Sequence, residues 1–185
     1  MGLRHDRRKI NTGRRLAIKR FKKQRQRNVL ASPGSHRFIV VLDHLKPRYN
    51  IGKIFRSADA FGAHEVHLVG IDFFDPAPSM GSFKWVPAKF FDNIDSCFQQ
   101  LLEREYHLYL LDPSTDSDLT QIVFPRRSAF IFGHEEYGFS FDPLAYAHLS
   151  KISIPQYGKV QSLNVSVAAS LTMYEYVRQH RQLNS

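Results

Sequence analysis

From residue 37 onward, apolar positions follow two alternating patterns. Short, nearly continuous runs at Phe38–Leu42, Glu65–Val69, His107–Leu111, Ala129–Phe132 and Lys151–Ile154 have the length and side-chain type of strands buried on both faces. Between them the spacing becomes helical. Ile51–Phe61 reads as a helix ended by Gly62. Asp92 is placed to cap a second helix, whose apolar residues Ile94, Cys97, Phe98, Leu101 and Leu102 fall at i, i+3, i+4, i+7 and i+8. A last helix is predicted from about Asn164 to Arg181, with Val165, Ala168, Ala169, Met173 and Tyr176 on one face. Strand and helix trading places in this way predicts an α/β domain with a mostly parallel sheet. The stretch Phe73–Ala88, with three prolines, fits neither period and is expected to be a mobile or ligand-covering loop. No internal repeat is present.

Charge divides the chain at the turn-rich Ala31–Ser35. Residues 1–30 hold twelve Lys and Arg against the single acid Asp6, a net charge of +11, whereas residues 31–185 carry a net charge of −2. Residues 1–31 are therefore expected to be a basic N-terminal arm ahead of a domain spanning 32–185. The arm's apolar residues, Ile10, Leu16, Ile18 and Phe21, are too scattered to build a core of their own, so it is expected to be disordered or to be a helix ordered by a polyanion. Nucleic acid is the expected polyanion. A single cysteine, Cys97, allows no intramolecular disulfide and points to a reducing compartment, the cytoplasm. The arginine-rich, acid-poor start leaves a mitochondrial transit peptide as the competing reading, although serine is scarce there. No apolar run is long enough for a membrane span.

Ligands of open parallel sheets bind beyond the carboxyl ends of the strands, so polar residues just after strands are the candidates. Three segments qualify. Asn50 and Arg56 lie on the first predicted helix, where each alone also reads as a helix cap or a solvated side chain. Gly133-x-Glu135-x-x-Gly138 follows an apolar strand; Phe139 and Ser140 stand where a phosphate loop has lysine and Ser/Thr, which argues against a nucleotide triphosphatase. No G-x-G-x-x-G follows a strand, which removes the main support for a dinucleotide-binding dehydrogenase. His64 and His67 lack the further ligands of a zinc site, and no metal is expected. The third segment, Ile154 to Ala169, is a glycine-bearing loop that opens a helix amid Ser162, Asn164 and Ser166. Such a helix start offers unpaired N–H groups to a ligand.

In order and spacing, these segments resemble the three motifs of the TrmH family, the SPOUT-class RNA 2'-O-ribose methyltransferases. The similarity covers about residues 37–181 and is most specific from Ile154 through Ala169. It implies S-adenosylmethionine as cofactor, a C-terminal deep trefoil knot, which is a rare exception to the rule of unknotted chains, and a homodimer in which the catalytic arginine approaches the partner's cofactor. Asn50, Arg56, Glu135, Ser162 and Asn164 inherit catalytic roles; Leu111, Gly133, Ile154 and Leu163 inherit backbone contacts to the cofactor. Ser82–Val86 and Val160–Asn164 resemble the branch that methylates guanosine-18 of tRNA, although Tyr49 stands where that branch is expected to have histidine. Ribosomal RNA is the alternative substrate. A non-catalytic knotted RNA-binding protein is the alternative of another class, and the joint presence of the five inherited residues argues against it.

Overall fold

The structure, a computed structural model, describes residues 2–181, with the side chains of the first helix described from Thr12 onward. The side chain of Ile10 lies outside the described residues, as do residues 182–185. Six strands form one sheet: β1 (Ile39–Asp43), β2 (Glu65–Val69), β3 (Ala88–Phe91), β4 (His107–Leu111), β5 (Ser128–Phe132) and β6 (Leu149–Ile152). The order is β3-β2-β1-β5-β4-β6 and every pairing is parallel. The helices are α1 (Gly2–Asn28), α2 (Tyr49–Ala60), α3 (Ile94–Glu103) and α4 (Val165–His180).

Strand residues alternate between two cores, as a pleated sheet requires. Val40, Leu42, Val66, Leu68, Phe130 and Phe132 face one core with Ile51, Ile54 and Phe55 of α2 and Ala169, Met173 and Tyr176 of α4. Ile39, Val41, Leu108, Leu110, Ala129 and Ile131 face the other with Ile94, Cys97, Phe98 and Leu101 of α3. The central strands β1, β2 and β5 are buried along their whole length; β1 and β5 are apolar but for Asp43 and Ser128 at their ends, whereas β2 buries Glu65 and His67 on one face.

The structure corrects several boundaries. Asn93, not Asp92, caps α3: its Oδ1 accepts from the Ser96 N–H at 2.9 Å, and Asp92 lies one residue too far back for that bond. The last strand ends at Ile152, because Ser153 turns to pair with the segment at 117–118 and Pro155 has no N–H for a ladder. β3 is an edge strand that the periodicity did not reveal. Residues 73–87 do not line the cleft described below. They form two single-turn 3-10 helices, Ala77–Ser79 and Ser82–Lys84, and bury Phe74 and Phe83 completely.

α1 docks on that segment. Phe21 is buried, stacked on Phe83 at 5.6 Å and edge-on to Phe73, Phe74 and Phe90. At the end of the helix, buried Asn28 donates from Nδ2 to Phe83 O and Val86 O at 2.6 and 2.7 Å and accepts from the Ala88 N–H at 3.0 Å. Arg20 pairs with Asp75 at 3.2 Å.

Candidate functional site

A cleft of about 610 Å³ opens beyond the carboxyl ends of β4, β5 and β6. Its apolar wall comes from Leu111, Phe132, Ile152, Ile154, Leu163, Val165 and Ala168, and its polar rim from Asp112, Glu135, Glu136, Gln156, Ser162 and Asn164. Seven of the nine sequence-predicted site residues line it: Leu111, Gly133, Glu135, Ile154, Ser162, Leu163 and Asn164. They come from four separate stretches of chain, brought together because each lies at or just past a strand end or at the start of α4.

The turn after β5 is shaped by glycine. His134 and Gly138 exchange backbone hydrogen bonds of 2.7 and 3.0 Å, and Gly138 takes φ +72°. A Cβ on Gly133 would lie 2.7 Å from the Gly138 carbonyl oxygen, so no side chain fits. The turn is anchored from below by Asp43 at the end of β1. Its fully buried carboxylate accepts from the Ser140 N–H and hydroxyl, both at 2.7 Å, and lies 2.6 Å from His44 Nδ1.

A chain of side-chain hydrogen bonds joins the three predicted segments at the rim. Asn50 Nδ2, in the first turn of α2, donates to Glu135 Oε1 at 2.8 Å. Asn164 Nδ2 donates to Asn50 Oδ1 at 3.3 Å, and the Lys46 N–H donates to Glu135 Oε2 at 3.3 Å. Asn164 also caps α4: its Oδ1 accepts from the Ser166 N–H at 2.9 Å and from the Ser166 hydroxyl at 2.6 Å. The simple capping role is therefore real, yet it leaves the amide free to hold Asn50. Lys46 pairs with Glu136 and holds that carboxyl below the usual range.

Asn50 touches the rim without lining the cleft, and Arg56 does neither. Successive helix residues are about 100° apart, so side chains six positions apart diverge by roughly 120°. Arg56 is exposed and makes no side-chain hydrogen bond or ion pair among the described residues. Ser162 is likewise exposed and unpartnered among them.

Sequence reading missed Asp112, Gln156 and the Asp43–Ser140 anchor. Asp112 immediately follows β4, and position alone marks it. Burial would raise its carboxyl, but the Ser114 hydroxyl and N–H and the Lys151 ammonium, 3.1 Å away, together hold it below the ordinary carboxylate value. Gln156 Oε1 is buried at the cleft with no hydrogen-bond partner among the described residues.

Known proteins are similar to this chain. The tRNA (guanosine(18)-2'-O)-methyltransferase of Thermus thermophilus is 36% identical over 145 residues, which are 76% of this chain and 74% of that protein. The solved structure of the Aquifex aeolicus TrmH/SpoU tRNA modifying enzyme superposes with a TM-score of 0.70 at 30% identity, over 89% of this chain and 84% of that one. The SpoU methyltransferase AviRb of Streptomyces viridochromogenes, solved in complex with the cofactor AdoMet, gives a TM-score of 0.69 at 29% identity; the match covers 79% of this chain and 58% of that protein's length. Residues 37–174, which include every candidate site residue, match the SpoU rRNA Methylase family throughout, and the chain belongs to that family.

Proposed function

We propose that this protein transfers a methyl group from S-adenosylmethionine to a ribose 2'-hydroxyl of RNA, with tRNA as substrate and guanosine-18 of the D-loop as the target. The observation that carries the reading is the Asn164–Asn50–Glu135 hydrogen-bond chain, which ties all three motif segments to the rim of one cleft. The T. thermophilus relative bears the name of that tRNA activity.

The cleft suits the cofactor. Its apolar wall accepts an adenine ring and a thioether chain, Glu135, the one of the three rim carboxylates without a cation partner among the described residues, compensates a sulfonium charge, and the orphaned Gln156 Oε1 awaits a donor such as an exocyclic amine. Leu111, Gly133, Ile154 and Leu163 supply the backbone that would hold it. When bound, S-adenosylmethionine supplies an electrophilic methyl group. The chain's own residues position the ribose. A hydroxyl is a poor nucleophile until its proton is drawn away, and much of the acceleration comes from in-line placement. Glu135 is held by Asn50 and by the Lys46 N–H, so its carboxylate is oriented rather than free. Ser162 and Asn164 stand at the same rim to take ribose or phosphate oxygens. Arg56 stabilises the developing alkoxide, since a guanidinium keeps its proton at accessible pH and acts by charge, and the hydroxyl proton passes to water as the oxygen–methyl bond forms.

Because Arg56 diverges from its own cleft, it serves the cleft of a second copy, and the protein works as a homodimer. Val167, Leu171 and Tyr174 form an exposed apolar stripe at i, i+4 and i+7 along α4, the kind of surface a second copy covers. The chain after β6 is proposed to thread the 112–127 connection as a trefoil knot. Support comes from bonds on either side of that connection. Leu119 and Ser153 are joined through the Ser153 carbonyl at 2.8 Å, while the Tyr176 hydroxyl donates to Arg126 O at 2.6 Å and Gln179 Nε2 donates to Ile122 O at 2.8 Å. Residues 1–31 supply phosphate contacts to the methyltransferase unit of residues 32–185. No described helix is long and apolar enough to cross a membrane, and the buried, unpaired Cys97 suits a reducing cytoplasm.

Incubation with methyl-labelled cofactor and separated tRNA and rRNA tests the reading. Label in tRNA at guanosine-18 is expected; label confined to rRNA replaces the substrate, and label in neither overturns the activity.

A further inference from the structure

The one tryptophan of the chain is not in the core. Trp85 is 57% exposed, although burying an indole is among the larger apolar gains available to a fold. It lines a separate groove of about 390 Å³ with Arg27, Leu30, Ala31, Ser32 and Lys84. Several features hold the ring in place there. Asn28 pins the end of α1 to Phe83, Val86 and Ala88, which flank Trp85 in sequence. Gly81, at φ +100°, makes the turn that presents Lys84 and Trp85; a Cβ there would crowd the Lys84 side chain at 3.2 Å. Lys84 Nζ lies over the indole, 4.7 Å from its centre, so a cation stands against one face of the ring. Between Thr12 and Asn28, α1 adds eight basic residues and no acid, and only Arg20 among them is in an ion pair with a described residue.

An exposed aromatic ring with a cation against one face, continuous with a basic helix, is the chemistry that binds a single-stranded nucleotide: the base stacks on the ring's other face and the flanking phosphates meet the cations. We infer that the Trp85 groove is a second RNA subsite, in which an unpaired base of the substrate stacks on Trp85 while Arg27 and Lys84 hold its phosphates. The inference rests on the RNA-substrate reading above and adds a place where that RNA is gripped away from the reacting ribose. Trp85 lies three residues before β3, at the amino end of the sheet and at its β3 edge, whereas the cleft lies beyond the carboxyl ends of β4 to β6. At about 4.8 Å between strands and 3.3 Å per strand residue, four strand spacings across from β3 to β4 and six residues along, the two are roughly 25–30 Å apart. No small ligand spans that distance; a folded RNA does.

Since Trp85 is the sole tryptophan, intrinsic fluorescence reports on it directly. The full chain is titrated with an unstructured single-stranded RNA dodecamer and with an abasic ribose-phosphate chain of the same length. Saturable quenching by the RNA and little by the abasic chain is expected. Trp85→Ala should weaken dodecamer binding, followed by anisotropy of a labelled probe, by roughly 5- to 150-fold, and Trp85→Phe should retain most of the affinity. In methyl transfer the Trp85→Ala loss should fall on KM rather than kcat. Equal quenching by both chains, or unchanged RNA affinity of Trp85→Ala, overturns the stacking site. So does an emission shift that follows protein concentration without RNA, which would make the groove a protein interface. Failure of the methyltransferase reading shows separately, as wild-type protein that quenches with RNA but methylates none.

Discussion

Replacing Phe21 with alanine tests whether the basic helix is part of the folded unit. Phe21 is only 5% exposed and meets four aromatic rings with centroids between 5.2 and 6.3 Å, one stacked and three edge-on. Its neighbours Phe74 and Phe83 are themselves fully buried against α2, so they cannot move in to refill the space. Truncation therefore removes the transfer free energy of the ring and leaves a cavity, for an expected loss of about 3–5 kcal/mol. For a chain of this size that corresponds to roughly 6–20 °C in Tm. Urea unfolding followed by far-ultraviolet circular dichroism measures it. Phe21→Leu keeps much of the apolar volume and should lose less than half as much. Leu16→Ala, at an exposed position one turn away, should change stability by no more than about 0.5 kcal/mol. A Phe21→Ala loss no larger than that of Leu16→Ala would refute the docking of α1.

Arg56→Ala should lower kcat by about 100-fold or more while leaving cofactor affinity, measured by calorimetry, unchanged. Gly133→Ala places a Cβ 2.7 Å from the Gly138 carbonyl oxygen and should weaken cofactor binding, at about 1–3 kcal/mol of stability. Exchanging Arg14, Arg15, Lys19, Lys22 and Lys23 for glutamine leaves Phe21 and Asn28 in place; for every phosphate that no longer meets a cation, the slope of log K against log salt should flatten by roughly 0.7–0.9. Stability should fall on the acid side in two stages, traced by denaturation between pH 7 and 3. Burial holds His67 below its ordinary 6.5, so the unfolded chain takes up a proton first and stability declines as pH drops through about 6.5. Glu65, although burial raises it, is held well below its ordinary 4.5 by hydrogen bonds from His67 and Arg104 and by Lys89, so its contribution is present above about 4.5 and is lost below. Glu65→Gln should remove that lower stage, and an unchanged acid limb would contradict the cluster's role.

The sheet was legible because β1 and β5 are nearly continuous apolar runs and its helices keep an apolar face. β3 was not, since all four of its residues are only half-buried at an edge. The packing of the segment at 73–87 was hidden for another reason: its prolines break the periodicity on which sequence reading depends, while Phe74 and Phe83 give it a core of its own. The docking of α1 was hidden in the same way, because one phenylalanine and one asparagine in a basic helix carry no pattern until their partners, about 55 residues away, are known. Of the site, the residues on the three motif segments were readable from order and spacing. The Asn50–Glu135 and Asn50–Asn164 bonds join residues far apart in the chain and needed the fold. Asp43 looked like the end of an apolar run, and nothing in its neighbours showed that it anchors Ser140, 97 positions later.

The proposed activity turns on which atom of the RNA receives the methyl group. A 2'-O-methylated ribose cannot attack its own phosphate, so alkali leaves the adjoining phosphodiester intact. tRNA labelled by the protein and methyl-labelled cofactor should, after alkaline hydrolysis, release its label in an alkali-stable dinucleotide, and Arg56→Ala should release almost none. Label recovered in mononucleotides would place the methyl group on a base and contradict ribose methylation.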